Sequence, residues 1–209
     1  MVAVGNLAEY LLEQLKTQDV VRVPASEAEY LDIAPEFPGK LEYQHGEIIA
    51  MSLASALHEL IVSAINYLLF SYYKDKDFLV TSSNAGLQVS QPDGSYYQPD
   101  LMVTKGAWQF KEGSKSIITN PYLVVEVMSP GTYRYDNEDK LPLYKDVPTL
   151  HYVVYAAQDR PYLTVYERTE QPDVWLNTDY KTLDSVAKLG DLTLPLSEIY
   201  HKITFPVNQ

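Results

Sequence analysis

The segment Tyr122-Leu123-Val124-Val125-Glu126-Val127-Met128 decides how this chain folds. Apart from Glu126 it lacks polar alternation, the pattern of a central strand covered on both faces rather than one with a solvated side. Ser129-Pro130-Gly131 ends the run. An ionised carboxylate within such a strand is strongly disfavoured unless a cation, a metal or a hydrogen-bond network meets it. On the N-terminal side a second acid opens a second apolar run, Asp100-Leu101-Met102-Val103, directly after Pro99. On the C-terminal side Lys140 lies on a short helix expected from about Tyr135 to Tyr144, which Pro142 must end or kink. Two carboxylates on adjacent strands can hold one Mg2+, which keeps several waters and binds through a few protein oxygens. A nearby lysine could position the attacking water or stabilise charge on phosphorus. Each residue taken singly also has a plainer reading: a strand-initiating Asp, a salt-bridged Glu, a solvated Lys.

Further out, Leu57, Leu60, Ile61, Ala64, Ile65, Leu68, Leu69 and Tyr72 recur at helical spacing, with Ser52 or Ser55 as cap and an end near Lys74. Lys40 to Met51 reads as a hairpin turning at His45-Gly46. Strands are expected over Phe78–Thr81 and Ala85–Val89, with Pro92-Asp93-Gly94 as a tight turn. A second hairpin pairs His151–Tyr155 with Tyr162–Tyr166. Leu7, Tyr10, Leu11 and Leu15 share a face of a short N-terminal helix. Ser26-Glu27-Ala28-Glu29 is a capping box opening another. The order helix, strands, helix, strands gives an α/β chain with a mixed central sheet flanked by helices.

The chain has 209 residues, no cysteine and a net charge of −12. That length suits one domain. Disulfides and thiolate metal sites are excluded, and four scattered histidines make poor material for a zinc site. No apolar run approaches the ~18 residues of a membrane span, and the N-terminus lacks the pattern of a secretion signal, so a cytoplasmic protein with no membrane partner is expected. The negative charge argues against indiscriminate nucleic-acid binding. It is uneven, however: residues 101–150 carry six basic and six acidic side chains. Eighteen tyrosines are available either as core-edge residues or as stacking platforms for bases.

Three stretches together resemble a known family. They are Tyr97-Gln98-Pro99-Asp100-Leu101-Met102-Val103, Leu123 to Thr132, and Tyr135-Asp136-Asn137-Glu138-Asp139-Lys140-Leu141-Pro142-Leu143-Tyr144. Leu41-Glu42-Tyr43, Gly46-Glu47-Ile48, His58, Pro148 to Val154 and Leu194 to Tyr200 extend the likeness over about residues 25–205. The chain is similar to the restriction-endonuclease-like family of bacterial proteins, once a domain of unknown function, within the PD-(D/E)xK nuclease superfamily.

The resemblance implies a restriction-endonuclease-like α/β fold over residues 25–209, preceded by an N-terminal helical extension at 1–24. It implies Mg2+-dependent cleavage of DNA, with Mn2+ able to substitute. Asp100 matches the first superfamily acid, Glu126 the second, and the main-chain carbonyl of Val127 would complete the metal shell. The usual lysine two residues after the second acid is absent, because Met128 stands there; Lys140 matches the relocated lysine. His45 stands where the family often has Asp. Glu47 and His58 are secondary candidates, the first approaching the metal from the hairpin, the second contacting Glu47 or a phosphate. A homodimer is expected, since cutting two strands calls for two symmetric sites. The alternative is a catalytically silent nuclease fold serving as a nucleic-acid-binding or interaction module. A glycoside hydrolase using the two acids is a more distant alternative, with no place for Lys140.

Overall fold

The computed structural model describes residues 4–82, 85–90 and 94–205. Helix α1 (Val4–Gln14), strand β1 (Val20–Pro24), helix α2 (Glu27–Ile33), the hairpin β2 (Lys40–Gln44) and β3 (Glu47–Met51), and helix α3 (Ala56–Tyr73) form the first half. Strands β4 (Phe78–Ser82), β5 (Gly86–Ser90), β6 (Ser95–Tyr97), β7 (Leu101–Lys105), β8 (Ile117–Ile118) and β9 (Pro121–Met128) follow. A π-helical turn (Tyr135–Lys140) runs into α4 (Leu141–Asp146). The chain then adds β10 (Tyr152–Ala157), β11 (Leu163–Arg168), β12 (Trp175–Tyr180), β13 (Val186–Leu189), β14 (Leu192–Pro195) and α5 (Leu196–Ile199).

The central sheet has the order β12-β11-β10-β9-β7-β4. Strands β9 and β10 run parallel, and the other neighbours are antiparallel. Parallel strands need a crossover, and the π-helical turn with α4 supplies it. This is the mixed, helix-flanked sheet expected from the sequence. A second six-stranded sheet, β1-β3-β2-β6-β5-β8, carries α1 and α2, whose Leu7, Leu11, Tyr30 and Ile33 pack on Leu41, Tyr43 and Ile48.

Side chains of a strand alternate between faces, and β9 uses both. Leu123, Val125 and Val127 pack with Ile61, Ile65 and Leu69 of α3. Val124 and Met128 face Leu141 and Tyr144 of α4 and Leu87 and Tyr97 of the second sheet. Glu126 shares this second face by parity. Ser55 caps α3 by accepting the His58 N–H at 3.1 Å. The buried stripe of α3 is Ile61, Val62, Ile65, Leu69 and Tyr73, so Leu57 and Leu60, expected in the stripe, remain exposed.

The other local expectations divide. Ser26 and Glu29 form the capping box. His45 and Gly46 turn the first hairpin with φ of 49° and 82°, the left-handed geometry of a two-residue hairpin loop. Pro92 and Asp93 of the expected tight turn lie outside the described residues. Residues 20–24, taken as part of a helical extension, form β1 and pair with β3 from Val20↔Met51 to Pro24↔Glu47. Strand β12 was not anticipated either. Leu176-Asn177-Thr178-Asp179 is exposed, and an outer strand with β11 as its one neighbour in the sheet leaves little hydrophobic pattern. Several tyrosines serve the core: Tyr96, Tyr97, Tyr144 and Tyr155 are fully buried, whereas Tyr10, Tyr67 and Tyr133 are exposed, and Tyr30 stacks on Tyr96 with ring centroids 5.4 Å apart.

Candidate active site

Register brings the two acids together. Leu101 pairs with Val125 across the β7–β9 ladder, so Asp100 and Glu126 stand one step beyond on the same face. Asp100 Oδ2 accepts the Val127 N–H at 2.7 Å, which fixes the carboxylate against β9. Both acids are nearly sealed, Asp100 at 7% and Glu126 at 2% exposure. Their remaining oxygens meet one cation. Lys40 Nζ donates to Asp100 Oδ1 at 3.1 Å and to Glu126 Oε2 at 3.3 Å.

The first strand of the early hairpin delivers this lysine. Lys40 opens β2, and the segment before Asp100 is clamped to the same strand. The Leu41 N–H donates to Gln98 Oε1 at 3.0 Å, and the Gln98 N–H donates to Glu42 Oε1 at 2.8 Å. Two residues after Lys40, Glu42 points to the same side and reaches deeper.

Behind Glu126 lies a closed ionic cluster. Lys140 Nζ is 2.9 Å from Glu126 Oε1, 2.9 Å from Glu42 Oε1 and 3.5 Å from Asp136 Oδ1. Tyr144 donates its hydroxyl to Glu126 Oε1 at 2.6 Å, and Tyr135 donates to Glu42 Oε2 at 2.7 Å. The π-helical turn makes this convergence. Leu141 N–H bonds the Asp136 carbonyl five residues back, and the widened turn precedes Pro142, which has no N–H and whose ring crowds the carbonyl four residues earlier. Asp136, Lys140 and Tyr144 thereby face inward together, while Tyr155 donates its hydroxyl to the Asp136 carbonyl at 2.7 Å.

The electrostatics follow from burial and partners. Burial alone would raise the Asp100 pKa, but Lys40, His58 and the Val127 N–H outweigh it and hold the carboxyl well below its usual range. Burial opposes the Lys140 charge, yet Glu126 and Glu42 keep the ammonium well above its ordinary value. Asp136 moves the other way. Burial, reinforced by Glu126 and Glu42 against the pull of Lys140 and Lys40, pushes it up to about 7. His58 Nε2 stands 3.4 Å from Asp100 Oδ2; burial disfavours its charge, Asp100 favours it more, and the imidazole titrates above its usual value.

A cleft of about 1070 Å³ opens over the acid pair, lined by Lys40, His58, Asp100 and Glu126, with Ser129 to Thr132 on one side and Lys111 to Ile117 on another. Of the residues expected from sequence, Asp100, Glu126, Val127 and His58 meet here. Lys140 reaches Glu126 but is 1% exposed and lies behind the cleft rather than in it. Glu47 is not brought to the site: it sits 3.7 Å from Arg22 at the start of β3, beside the His45-Gly46 turn, whereas the Lys40–Met51 end of the hairpin is the one at the acid pair. Three residues of the constellation were missed. Glu42 carries the same signal as Glu126, an acid between buried apolar neighbours, but in a short hairpin strand such acids usually face water. Asp136 lies within a run of charges, and Lys40 offers no local signal, since only the fold carries it to residues 60 and 86 positions away.

A family model described as "Uma2: Putative restriction endonuclease" matches residues 27–197. The chain belongs to this family. Uncharacterized protein slr1290 of Synechocystis is 30% identical over 181 residues, covering 86% of this chain and 93% of that protein. Uncharacterized protein sll1609 of the same organism is 32% identical over 123 residues, 59% of this chain and 69% of its relative. A crystal structure from Anabaena variabilis, described as a putative nuclease belonging to DUF820, superposes with a TM-score of 0.68 over 85% of this chain and 98% of that one. At 18% identity that likeness is one of fold. The Uma2 match spans every member of the constellation, from Lys40 to Tyr144.

Proposed function

We propose that this Uma2 protein is an endonuclease that hydrolyses DNA phosphodiester bonds with Mg2+, for which Mn2+ can substitute. The observation that carries the reading is the convergence of Asp100 Oδ1 and Glu126 Oε2 on a single cation, the Lys40 ammonium, beneath an open cleft. The donor chemistry fits a hard dication, being entirely oxygen. Among the described residues no cluster of three or more His, Cys, Asp or Glu side chains is arranged for a metal, so the site would be a two-carboxylate one completed by main chain and water. Val127 gives its N–H to Asp100; the N–H and C=O of a strand residue leave the same edge, which puts its carbonyl within the same neighbourhood.

When bound, the dication would supply a water of lowered pKa and screen the charge of the phosphate under attack. The protein's own residues prepare that chemistry. The Val127 N–H takes one oxygen of Asp100 and leaves the other outward. Lys140 and Tyr144 take one oxygen of Glu126 and leave the other outward. Lys140 thus acts through Glu126, as a positioning residue. Two such sites, one on each copy of a two-fold homodimer, would serve opposite strands of a duplex.

Purified protein incubated with supercoiled DNA and Mg2+ or Mn2+ tests this reading. Wild type should nick or linearise the DNA, and Asp100→Asn or Glu126→Gln should lose ~100-fold or more, the scale of removing one charge-stabilising group. Cutting by both variants at the wild-type rate contradicts the assignment. Lys40 also favours a second reading, since an ammonium already neutralises the pair: a silent nuclease fold used as a nucleic-acid-binding module. Saturable Mn2+ binding in wild type, lost in Glu126→Gln, supports the enzyme; no binding at millimolar Mn2+ supports the module.

A further inference from the structure

We infer that Lys40 is the phosphate-binding cation of this site, and that it must leave the acid pair to do so, which couples metal binding to substrate binding. The inference rests on the endonuclease reading and gives Lys40 a role in the reaction that reading leaves open. Lys140 is held by three carboxylates within 3.5 Å and is 1% exposed, so it has neither freedom nor access. Lys40 is 24% exposed, lines the cleft, and ends a flexible four-carbon stem rooted at the start of β2. Its ammonium now stands within 3.1 and 3.3 Å of the two oxygens a dication would take. Two positive charges do not share those oxygens without strong repulsion.

The cleft determines where the displaced ammonium goes. Its other wall presents Lys111 and Lys115, and its remaining acids are Asp19, Glu59, Glu112 and Asp136. Asp136 already belongs to Lys140. A phosphodiester lying over the acid pair would offer Lys40 an anion at the mouth of the site it vacates. Each partner therefore promotes the other: phosphate draws Lys40 away from the carboxylates, and the dication drives it toward the phosphate. Such coupling is reciprocal by thermodynamic necessity. The resting protein holds its acid pair closed with its own lysine, and metal alone competes against a tethered cation.

Calorimetric titration with Mn2+, with and without dimethyl phosphate as the phosphodiester probe, tests this. Lys40→Met should bind Mn2+ at least about fivefold more tightly than wild type, the lower end of site–site coupling, while Lys40→Arg, still cationic, should bind like wild type. Dimethyl phosphate should tighten Mn2+ binding in wild type and leave Lys40→Met unchanged. If Lys40→Met binds Mn2+ no more tightly than wild type, or the probe has no effect on wild type, the inference is overturned. The metal site itself then still stands, provided Glu126→Gln abolishes the binding seen in wild type. Absence of Mn2+ binding in wild type and Lys40→Met alike overturns both the inference and the endonuclease reading. Should Lys40→Met fail to fold, with thermal melting as the check, the effect of dimethyl phosphate on wild type decides alone.

Discussion

A carboxylate has two oxygens to satisfy, and each acid of this site divides them between the protein and the cleft. Glu126 gives Oε1 to Lys140 and Tyr144 and Oε2 to Lys40; Asp100 gives Oδ2 to Val127 and Oδ1 to Lys40. The anomaly of a Glu inside an apolar strand was legible because its cost in isolation is large. What resolves that cost was not legible, since Lys40 and Glu42 arrive from a hairpin far away in sequence. Asp136 carries a prediction of its own. Its carboxyl is pushed up to about 7, against ~3.9 in an unfolded chain. A raised acid binds its proton more tightly when folded, so its contribution is most favourable below about pH 4 and is lost as pH climbs through about 7. Wild type should therefore lose stability between about pH 4 and pH 7 relative to Asp136→Asn, as measured by urea midpoints at each pH. Parallel curves for the two proteins would mean that Asp136 is ionised throughout.

At the scale of elements, the π-helical turn and α4 do the positioning. Pro142 signalled an interruption in the sequence, but whether the helix would kink, stop or widen depended on what packed beneath it. Widening lets Asp136, Lys140 and Tyr144 all point at β9. Lys140 is the keystone, fully buried among Glu42, Glu126 and Asp136. Removing one partner of a buried ionic cluster strands the others, a loss of ~3–5 kcal/mol. Lys140→Met should show that loss in urea denaturation, and adding Glu42→Gln should recover part of it by removing a stranded charge. A loss below about 1 kcal/mol, the range of an exposed pair, would mean the cluster is solvated. For α3 the cap is the weak point: Ser55→Ala should cost about 1 kcal/mol, read as a lowered urea midpoint, and no shift would show that the His58 N–H finds water equally well. The helices and central strands were legible because their composition reflects burial; β6 and β8 are very short, β12 is mostly exposed, and β1 buries only Val21, so none gave such a pattern.

For the molecule as a whole, charge sets the terms of substrate binding. The chain carries −12 overall, and the basic side chains lining the cleft, apart from His58, are Lys40, Lys111 and Lys115. A protein that neutralises so few phosphates should show a shallow salt dependence. The slope of log K against log salt for a duplex oligonucleotide should be about −2 to −3, near −0.9 for each phosphate neutralised. A slope steeper than about −6 would require a basic surface elsewhere. No described helix is long and apolar enough to cross a membrane. The fold class was legible from the order of helices and strands, and the meeting of the two acids because each stands against an apolar run, Glu126 inside β9 and Asp100 at the head of β7. The second sheet, which carries Lys40 and Glu42, was not: its hairpin reads as an ordinary surface feature until packed against the Tyr97–Asp100 segment.

Crystals of the protein soaked in Mn2+ and measured for anomalous scattering would show whether Asp100 and Glu126 together grip one divalent cation. A single strong peak is expected between Asp100 Oδ1 and Glu126 Oε2, near the Val127 carbonyl, with the Lys40 ammonium moved out into the cleft. A map without that peak at millimolar Mn2+, with Lys40 still bridging the two carboxylates, would contradict that role for the pair.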